Sequence, residues 1–296
     1  MIARVLGSVG AVVVGVLVVM LGYAVFIEPQ LLLEERHHEA EIPHLDEAWE
    51  GETIAVVSDF QVGMWFANTD MAEQAVEQIV EERPAAVLLA GDFLYSQTPD
   101  AEKQVETVMD ALAPLVESGI PSFAVLGNHD YESDGAAEMT AALEAAGIRV
   151  LSNDAAIVPL EGSDVQRPLW VVGIAPAHAG LADIDTAFAG VSAEQPRVVM
   201  MHNPQVFPRI PADAAPLAVA GHTHCGQFAM PGSPHSSWMA LTTEDPMVAD
   251  GYAPDDFGAE GNMLYVTCGI GFSGIPARFN APPQVVYFEL VAANGG

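Results

Sequence analysis

The chain has 296 residues, of which 51% are hydrophobic, and its 40 acidic and 9 basic residues give a net charge of −31. This hydrophobic content excludes a disordered protein, and the negative charge excludes sequence-independent binding to nucleic acid phosphates. Acidic residues spread along a chain whose single lysine is Lys103 are typical of proteins from salt-loving organisms, in which salt screens the repulsion. The alternative is an ordinary acidic protein.

The first predicted element is an apolar helix. From Val5 to Ile27 there are 23 residues without a charge, and as a helix they would span roughly 34 Å, enough to cross a bilayer. A cleaved signal peptide is the alternative, with a weak cleavage pattern at Gly22-Tyr23-Ala24. We expect an uncleaved single-pass anchor over residues 1–28 that binds the cell membrane through residues 5–27. Arg4 favours an extracytoplasmic position for the rest of the chain.

Residues 29–51 are polar and rich in acid, and they are predicted to be a linker and the entry to a domain that covers residues 52–296. The adjacent His37 and His38 could bind a metal, but an isolated pair in a solvated linker usually does not. Two cysteines, Cys225 and Cys268, allow at most one disulfide.

Within the domain, short β-rich runs alternate with helical stretches, which predicts an α/β architecture. The predicted strands are Thr53–Val57, 85–90, 122–126, 169–174, Arg197–Met201, 217–220, 263–267 and 284–290. The predicted helices are Thr69–Glu82, 101–117 and 136–146. Residues 231–257 are rich in Pro, Gly, Ser and acid, and we expect a long and functional surface loop there.

Five of the predicted strands are followed by residues that can bind a metal. These are, in chain order, Asp59 with Gln61, Asp92, Asn128, His202, and His222 with His224. Because the carboxyl ends of neighbouring strands in an α/β sheet meet at one crevice, we expect these side chains to converge. Each alone has a simpler explanation: Asp92 could cap a helix, Asn128 could set a turn and His202 could be a packed histidine. The five together, in this context, are poorly explained by coincidence.

The mixture of ligands predicts a dinuclear metal site. Two divalent cations close together need a bridging carboxylate and flanking nitrogen and oxygen ligands. We expect Asp92 to bridge, with one metal completed by Asp59, Gln61 and His224 and the other by Asn128, His202 and His222. The positive charge of two dications exceeds the negative charge of the two aspartates. The site would therefore be positive, which favours a negatively charged phosphate substrate. A hydroxide shared by both metals would attack phosphorus.

His129 follows the predicted ligand Asn128 but is not needed as a ligand. We expect it to act as the catalytic acid that protonates the leaving alkoxide, with Asp130 orienting it. The alternative for Asp130 is a residue that starts a helix.

These motifs resemble the calcineurin-like metallophosphoesterase superfamily, whose pattern is D-x-H, G-D, G-N-H-[DE], a lone H and G-H-x-H. All five blocks have counterparts here in order, with Gln61 in place of the histidine of the first block, and the resemblance covers roughly residues 52–290. GNHD and GHTH together are highly specific, whereas the other blocks alone are not. The resemblance implies a four-layer αββα sandwich, here preceded by one transmembrane helix.

A finer resemblance is to a branch of membrane-anchored phosphodiesterases. It is carried by Cys225-Gly226-Gln227, by the stretch from Gly269 to Arg278 and by Pro282-Pro283. It places Arg278 near the site, where it would contact a substrate phosphate together with Asn128 and His129; the alternative is a surface or ion-paired arginine. Cys225 stands where glycine is usual. It could be a soft ligand or a disulfide partner of Cys268, but a buried thiol is favoured.

We therefore expect a metal-dependent phosphoesterase, and more specifically a phosphodiesterase, acting on a lipid headgroup, a nucleotide or an envelope phosphate. The amide of Gln61 is a harder ligand than imidazole and favours Mn²⁺, with Mg²⁺, Fe or Zn²⁺ as alternatives. Two other functions remain open: a pyrophosphatase of nucleoside diphosphate derivatives, since some members with Gln in the first motif are similar, and a catalytically silent envelope module that retains metal. Because Asp92, Asn128 and His129 are all retained, Gln61 is interpreted as a ligand of an active site.

Overall fold

The computed structural model describes residues 2–66, 68–95, 100–160, 165–230, 233–237 and 248–293. It begins with helix α1 (Ile2–Gly22), which continues through a π-helical segment (Tyr23–Ile27) into α2 (Glu28–Leu31). Within the described ranges, Ser8–Leu31 is the one stretch long and apolar enough to cross a membrane, with a mean hydropathy of 2.6. Its apolar side chains in α1 are exposed on all sides, as expected of a helix that faces lipid.

The domain is built on two six-stranded sheets. The first has, in spatial order, β1 (Glu34–Ile42), β14 (Gln284–Ala292), β2 (Thr53–Val57), β3 (Ala86–Leu89), β4 (Ser122–Ala124) and β5 (Arg149–Val150). The second has β12 (Gly251–Tyr252), β13 (Leu264–Val266), β9 (Ala218–Ala220), β8 (Arg197–Met201), β7 (Trp170–Ile174) and β6 (Asp154–Ile157). A separate hairpin joins β10 (Ala229–Met230) and β11 (Ser233–Ser237).

Alternating residues of these strands face two different cores. Ile54 and Val56 of β2 lie in the core between the two sheets, where Val198 and Met200 of β8 meet them. Ala55 and Val57 face the opposite way, toward helices α3 (Thr69–Glu82), α4 (Ala101–Ser118) and α6 (Ala136–Ala145).

The outer face of the second sheet packs on α7 (Ile184–Phe188) and on the 3₁₀ helix Pro204–Arg209. A short helix, α5 (Asn128–Glu132), lies between β4 and α6. The predicted four-layer αββα sandwich with an N-terminal apolar helix is confirmed.

The eight predicted strands and three predicted helices are all present, with ends displaced by at most two residues. The prediction of a solvated linker is wrong for residues 34–42, because they form edge strand β1, paired in parallel with β14. In this strand exposed residues alternate with half-buried ones that include Glu34 and Arg36, and only Ala40 and Ile42 are fully buried, so its apolar signal is weak. The remaining domain boundaries stay a prediction. Of the predicted loop 231–257, residues 231–232 and 238–247 lie outside the described residues.

Candidate active site

The residues predicted as metal ligands lie together at the carboxyl ends of the central strands. Strands β2, β3 and β4 run parallel in the first sheet, and β7, β8 and β9 run parallel in the second. Each predicted ligand lies in the segment that follows one of these strands: Asp59 and Gln61 after β2, Asp92 after β3, Asn128 at the start of α5 after β4, His202 after β8, and His222 and His224 after β9. The two sheets therefore supply the two halves of one site.

Asp92 is the centre of this arrangement. Its Oδ2 accepts a hydrogen bond of 3.0 Å from Gln61 Nε2 and lies 3.1 Å from His202 Nε2. Its Oδ1 accepts a 2.9 Å hydrogen bond from the backbone amide of His129. Ligand atoms of Asp92, His202 and His222 all lie within 4.8 Å of one another. The Asp92 carboxylate is thus placed between the two predicted groups of ligands.

Asp59 contacts His222 and His224, the two histidines of the GHTH motif. Its Oδ1 lies 3.6 Å from His224 Nε2, and its carboxylate accepts hydrogen bonds of 3.1 Å from the backbone amide of His222. Ser58 Oγ donates to the same carboxylate. Ser58 was not predicted, although its position directly before Asp59 could have indicated it.

The Asn128 amide is held from two sides. Its Oδ1 accepts a 3.3 Å hydrogen bond from Asn203 Nδ2, and its Nδ2 donates to Glu132 Oε1 at 3.4 Å. Asn203 in turn accepts a hydrogen bond from the backbone amide of Ala177. Sequence reasoning missed Asn203, for which the signal is its position directly after His202.

Hydrogen bonds at Nδ1 orient two of the histidines. His202 Nδ1 lies 2.8 Å from the carbonyl oxygen of Ala90, and His224 Nδ1 lies 3.3 Å from that of Gly271. Donation by Nδ1 to a carbonyl leaves Nε2 to face the site, which is the usual arrangement of a metal-binding histidine.

The buried charges of the site shift one another's pKa values. Burial raises the pKa of Asp59 to about 6, with the Asp92 charge adding to the rise and His202 opposing it. Burial would also raise the pKa of Asp92, but His202 outweighs it and holds that pKa below its usual range. Burial lowers the pKa of His202, but Asp92 more than reverses this and raises it to about 9. Burial lowers the pKa of His222 to about 4, and burial also lowers that of His224.

The backbone is strained where it presents these side chains. Five of the seven predicted ligands have positive φ: Asp59, Gln61, Asp92, His222 and His224. Non-glycine residues rarely adopt this conformation, and such strain concentrates at functional sites. Gly269, also at positive φ, packs so closely on Asp59 that a Cβ there would lie 2.5 Å from its Oδ2. These features hold the carboxylate and amide groups in place.

The donor set fits divalent metal ions. Gln61 Oε1 is buried and has no hydrogen-bond partner among the residues that the structure describes. Burying such an atom without a partner costs roughly 1–3 kcal/mol, and a metal ion would satisfy it. Carboxylate, amide and imidazole groups together suit Mn²⁺, Mg²⁺, Fe and Zn²⁺.

His129 lies at the edge of the site, but Asp130 does not orient it as predicted. The Asp130 carboxylate is buried and accepts hydrogen bonds from the backbone amides of Leu94 and Gly127, at 2.9 and 2.8 Å, of which the bond to Gly127 caps α5. Burial raises its pKa to about 7, with Asp92 adding to the rise. His129 Nδ1 instead lies 3.5 Å from Glu132 Oε2. The helix-start alternative therefore describes Asp130, since the Gly127–Asp130 bond closes the first turn.

Arg278 lies beneath the site and not on its open face. Its guanidinium is fully buried and donates to backbone carbonyl oxygens, with Nε–Gly271 at 2.8 Å, Nη1–Ala281 at 2.9 Å and Nη2–Cys268 at 2.9 Å. Burial lowers its pKa to about 10. The geometry does not support the predicted contact with substrate, because these carbonyls occupy the donors. Arg278 instead braces the loop next to His224, because the Gly271 carbonyl that accepts from its Nε is also the partner of His224 Nδ1.

Two further sequence expectations concern cysteine and histidine. Cys225 and Cys268 form a disulfide, so the favoured interpretation of Cys225 as a buried thiol is wrong. The bond joins the GHTH loop to the end of β13, two elements whose proximity depends on the sheet. His37 and His38 lie on opposite faces of β1, His37 stacked on Tyr287 and His38 packed on Tyr265, away from the site.

Comparison with known proteins identifies the family of this chain. The family profile described as calcineurin-like phosphoesterase matches residues 52–226. The metallophosphoesterase YkuE of Bacillus subtilis (strain 168) is 24% identical over 276 residues, covering 92% of this chain and 90% of that protein. The phosphodiesterase YaeI of Escherichia coli (strain K12) is 30% identical over 230 residues, covering 76% of this chain and 77% of that protein.

Two further similarities were found. The transmembrane protein with metallophosphoesterase domain of Bos taurus is 24% identical over 254 residues, covering 81% of this chain and 53% of that protein. The crystal structure of a dimetal phosphatase from Danio rerio aligns with a TM-score of 0.41 and 12% identity, covering 75% of this chain and 88% of that chain. On the family match, the chain belongs to the calcineurin-like phosphoesterases, hydrolases that act on phosphoric esters.

Proposed function

We propose that the protein is a metal-dependent phosphodiesterase anchored in the cell membrane. The observation that carries the proposal is the position of the Asp92 carboxylate between Gln61 and His202, beside a buried Gln61 Oε1 that has no hydrogen-bond partner in the described part of the chain. The residues that would hold two divalent ions are Asp59, Gln61, Asp92, Asn128, His202, His222 and His224. When bound, the ions would supply Lewis acidity and a hydroxide nucleophile, and Mn²⁺ is favoured by the amide oxygen of Gln61.

The protein's own residues would position the reacting groups. Asn128, braced by Asn203, would orient a phosphate oxygen at the mouth of the site. His129 stacks on Tyr95 with ring centroids 5.7 Å apart, and its Nε2 lies 3.5 Å from Ser273 Oγ. This ring would donate a proton to the leaving alkoxide, with Glu132 near its other nitrogen. Asp130 would contribute by fixing the turn that carries His129.

The proposed location is the outer side of the cell membrane. The apolar stretch Ser8–Leu31 would anchor the chain, and the Cys225–Cys268 disulfide supports an oxidising, extracytoplasmic compartment. The end of the helix supports an uncleaved anchor. Ala24 is buried and its carbonyl accepts a 2.9 Å hydrogen bond from the backbone amide of Arg278, so cleavage after Ala24 would remove a residue that packs on the domain.

The test is a substrate panel with the full-length protein in detergent, Mn²⁺ and high salt. Bis-p-nitrophenyl phosphate, p-nitrophenyl phosphate and a nucleoside diphosphate conjugate would be compared, with Asp92→Asn as the control. We expect fastest turnover of the diester and its loss in Asp92→Asn. Preferred cleavage of the diphosphate conjugate would identify a pyrophosphatase. No turnover of any compound, or turnover undiminished in Asp92→Asn, would contradict the proposed two-metal mechanism and leave the silent binding module.

A further inference from the structure

Exposed apolar side chains cluster where the N-terminal helix meets the domain. We call Phe26, Trp65, Phe66 and Ile275 the apolar rim; their exposed fractions are 57%, 68%, 46% and 58%. Single exposed apolar residues are common on protein surfaces. Several large ones beside an apolar helix indicate a surface that contacts something apolar.

The apolar rim is fixed to the end of the membrane helix. The rings of Phe26 and Phe66 meet edge to face with centroids 5.6 Å apart. The loop that carries Ile275 is bonded to the helix through the Arg278 amide, which donates to the Ala24 carbonyl at 2.9 Å. Asn68 Nδ2 bonds the carbonyls of both Pro29 and Ile270, at 3.1 and 2.7 Å. The depth of the helix in the membrane therefore sets the depth of the rim.

The apolar rim also borders the active site. Trp65 and Phe66 directly follow Met64, which forms a buried cluster with Tyr95 and Phe272. Tyr95 stacks on His129, and Ser273, the residue after Phe272, has its Oγ 3.5 Å from His129 Nε2. The rim is thus connected to the residue proposed to protonate the leaving group through the packing of Met64 on Tyr95 and of Tyr95 on His129.

The contact with the membrane would be apolar and not electrostatic. A net charge of −31 provides no attraction to anionic lipid headgroups. Tryptophan instead favours the layer between headgroups and acyl chains, and tryptophan and phenylalanine together form the apolar face of segments that lie in that layer. The continuity of the rim with the helix Ser8–Leu31 identifies the bilayer as its partner.

We propose that the apolar rim sits in the headgroup layer of the membrane and delivers the phosphodiester of a membrane lipid to the active site. This proposal rests on the proposed phosphodiesterase function. In the reaction, the oxygen of water bonds to phosphorus, one phosphorus–oxygen ester bond breaks, and the released alkoxide takes a proton. The products are an alcohol and a phosphomonoester, one of which keeps the acyl chains and stays in the membrane.

The first test measures the position of Trp65. The full-length protein would be reconstituted into phosphatidylcholine vesicles that contain brominated lipids, which quench tryptophan fluorescence at known depths. We expect stronger quenching by bromine near the headgroups than deep in the acyl chains. This component should disappear in Trp65→Phe. Equal quenching of the wild type and Trp65→Phe would overturn the position of the rim.

The second test measures the substrate. Vesicles of phosphatidylcholine, phosphatidylethanolamine and phosphatidylglycerol would be compared with the three matching glycerophosphodiesters, which have the same diesters without acyl chains. We expect kcat/KM for at least one lipid to exceed that for its soluble counterpart at least tenfold. The double variant Trp65→Ser, Phe66→Ser should lose this advantage and keep wild-type turnover of bis-p-nitrophenyl phosphate.

Ile157→Ser is the matched control, because Ile157 is 48% exposed on β6, at the far edge of the second sheet, and should change neither activity. Turnover of bis-p-nitrophenyl phosphate without any preference for a lipid would overturn the lipid substrate. A lipid preference retained by the double variant would overturn the role of the rim. Absence of turnover on every substrate would instead contradict the proposed phosphodiesterase function, so the two failures are distinguishable.

Discussion

At the scale of single residues, the side-chain amide of Gln61 both donates a hydrogen bond to Asp92 and offers an oxygen to a metal ion, where a histidine would offer a nitrogen. Its Nε2 donates to Asp92, and its Oε1 is left buried with no hydrogen-bond partner among the described residues. The amide is neutral, as is a ligating histidine, so the charge of the site is the same with either residue. An amide oxygen binds a divalent ion more weakly than an imidazole nitrogen does and favours harder metals.

We therefore predict that Gln61→His folds, turns over substrate and binds divalent metal more tightly, with the largest gain for Zn²⁺. Gln61→Ala should lower the affinity for the metal by roughly ten- to hundredfold. Losing a residue that only hydrogen-bonds to a ligand already has an effect of this size, and losing a ligand should have at least as much. Isothermal titration of the metal-free protein with Mn²⁺ and Zn²⁺ measures both effects. Weaker binding in Gln61→His would contradict the assignment of Gln61 as a ligand.

At the scale of elements, edge strand β1 places a histidine in an apolar environment. The His38 ring packs on Tyr265 and Phe288, with centroids 4.9 and 5.7 Å away. Its Nε2 is buried and has no hydrogen-bond partner within the described ranges. Burial lowers the His38 pKa, the charges of Arg36 and His37 lower it further, and Asp250 opposes them. The ring is therefore held neutral in the folded strand.

This environment predicts a loss of stability in acid. The pKa of His38 is 6.5 in the unfolded chain and lower in the folded one. Between these two pKa values the unfolded chain is therefore protonated at His38 and the folded chain is not. Stability from this residue is present above pH 6.5 and is lost as the pH falls toward the folded pKa. Comparing urea unfolding at about pH 7 and about pH 5, we expect a smaller loss in His38→Phe than in the wild type. His37→Phe, on the exposed face of the strand, is the control. An unchanged loss in His38→Phe would contradict this account.

At the scale of the whole molecule, charge repulsion opposes folding. The net charge of −31 is spread along the chain, and compact folding brings these charges together. The Debye length falls from about 10 Å at 0.1 M salt to about 3 Å at 1 M. Salt should thus remove much of the repulsion between surface carboxylates, as proposed for a protein adapted to high salt.

We predict that the melting temperature of the full-length protein in detergent rises between about 0.1 M and about 1 M salt, by about 2–4 °C for each kcal/mol gained. Thermal unfolding followed by circular dichroism provides the measurement. Sodium and potassium chloride should act equally, because the effect is screening. A melting temperature that does not depend on salt would show that the acidic composition is not an adaptation to salt.

Local sequence patterns by themselves determined the α/β architecture and the position of the candidate ligands after the strands, and the resemblance to a known family added the four-layer sandwich. An apolar run such as Thr53–Val57 predicts a strand, and the polar residue that follows it must lie at the carboxyl end of that strand. Glu34–Ile42 was not predicted as a strand because most of its inward-facing residues are polar, and its pairing with β14 is made only in the folded sheet.

Only the tertiary structure decided what surrounds the site. The Cys225–Cys268 disulfide, the carbonyl oxygens around Arg278 and the backbone amides that bind Asp130 are contacts of the folded chain, and local sequence does not determine which donor meets which acceptor. The same holds for the apolar rim, in which Phe26 meets Phe66 across 40 residues of sequence. Motif spacing specifies which side chains face the crevice, whereas packing between distant segments decides their partners.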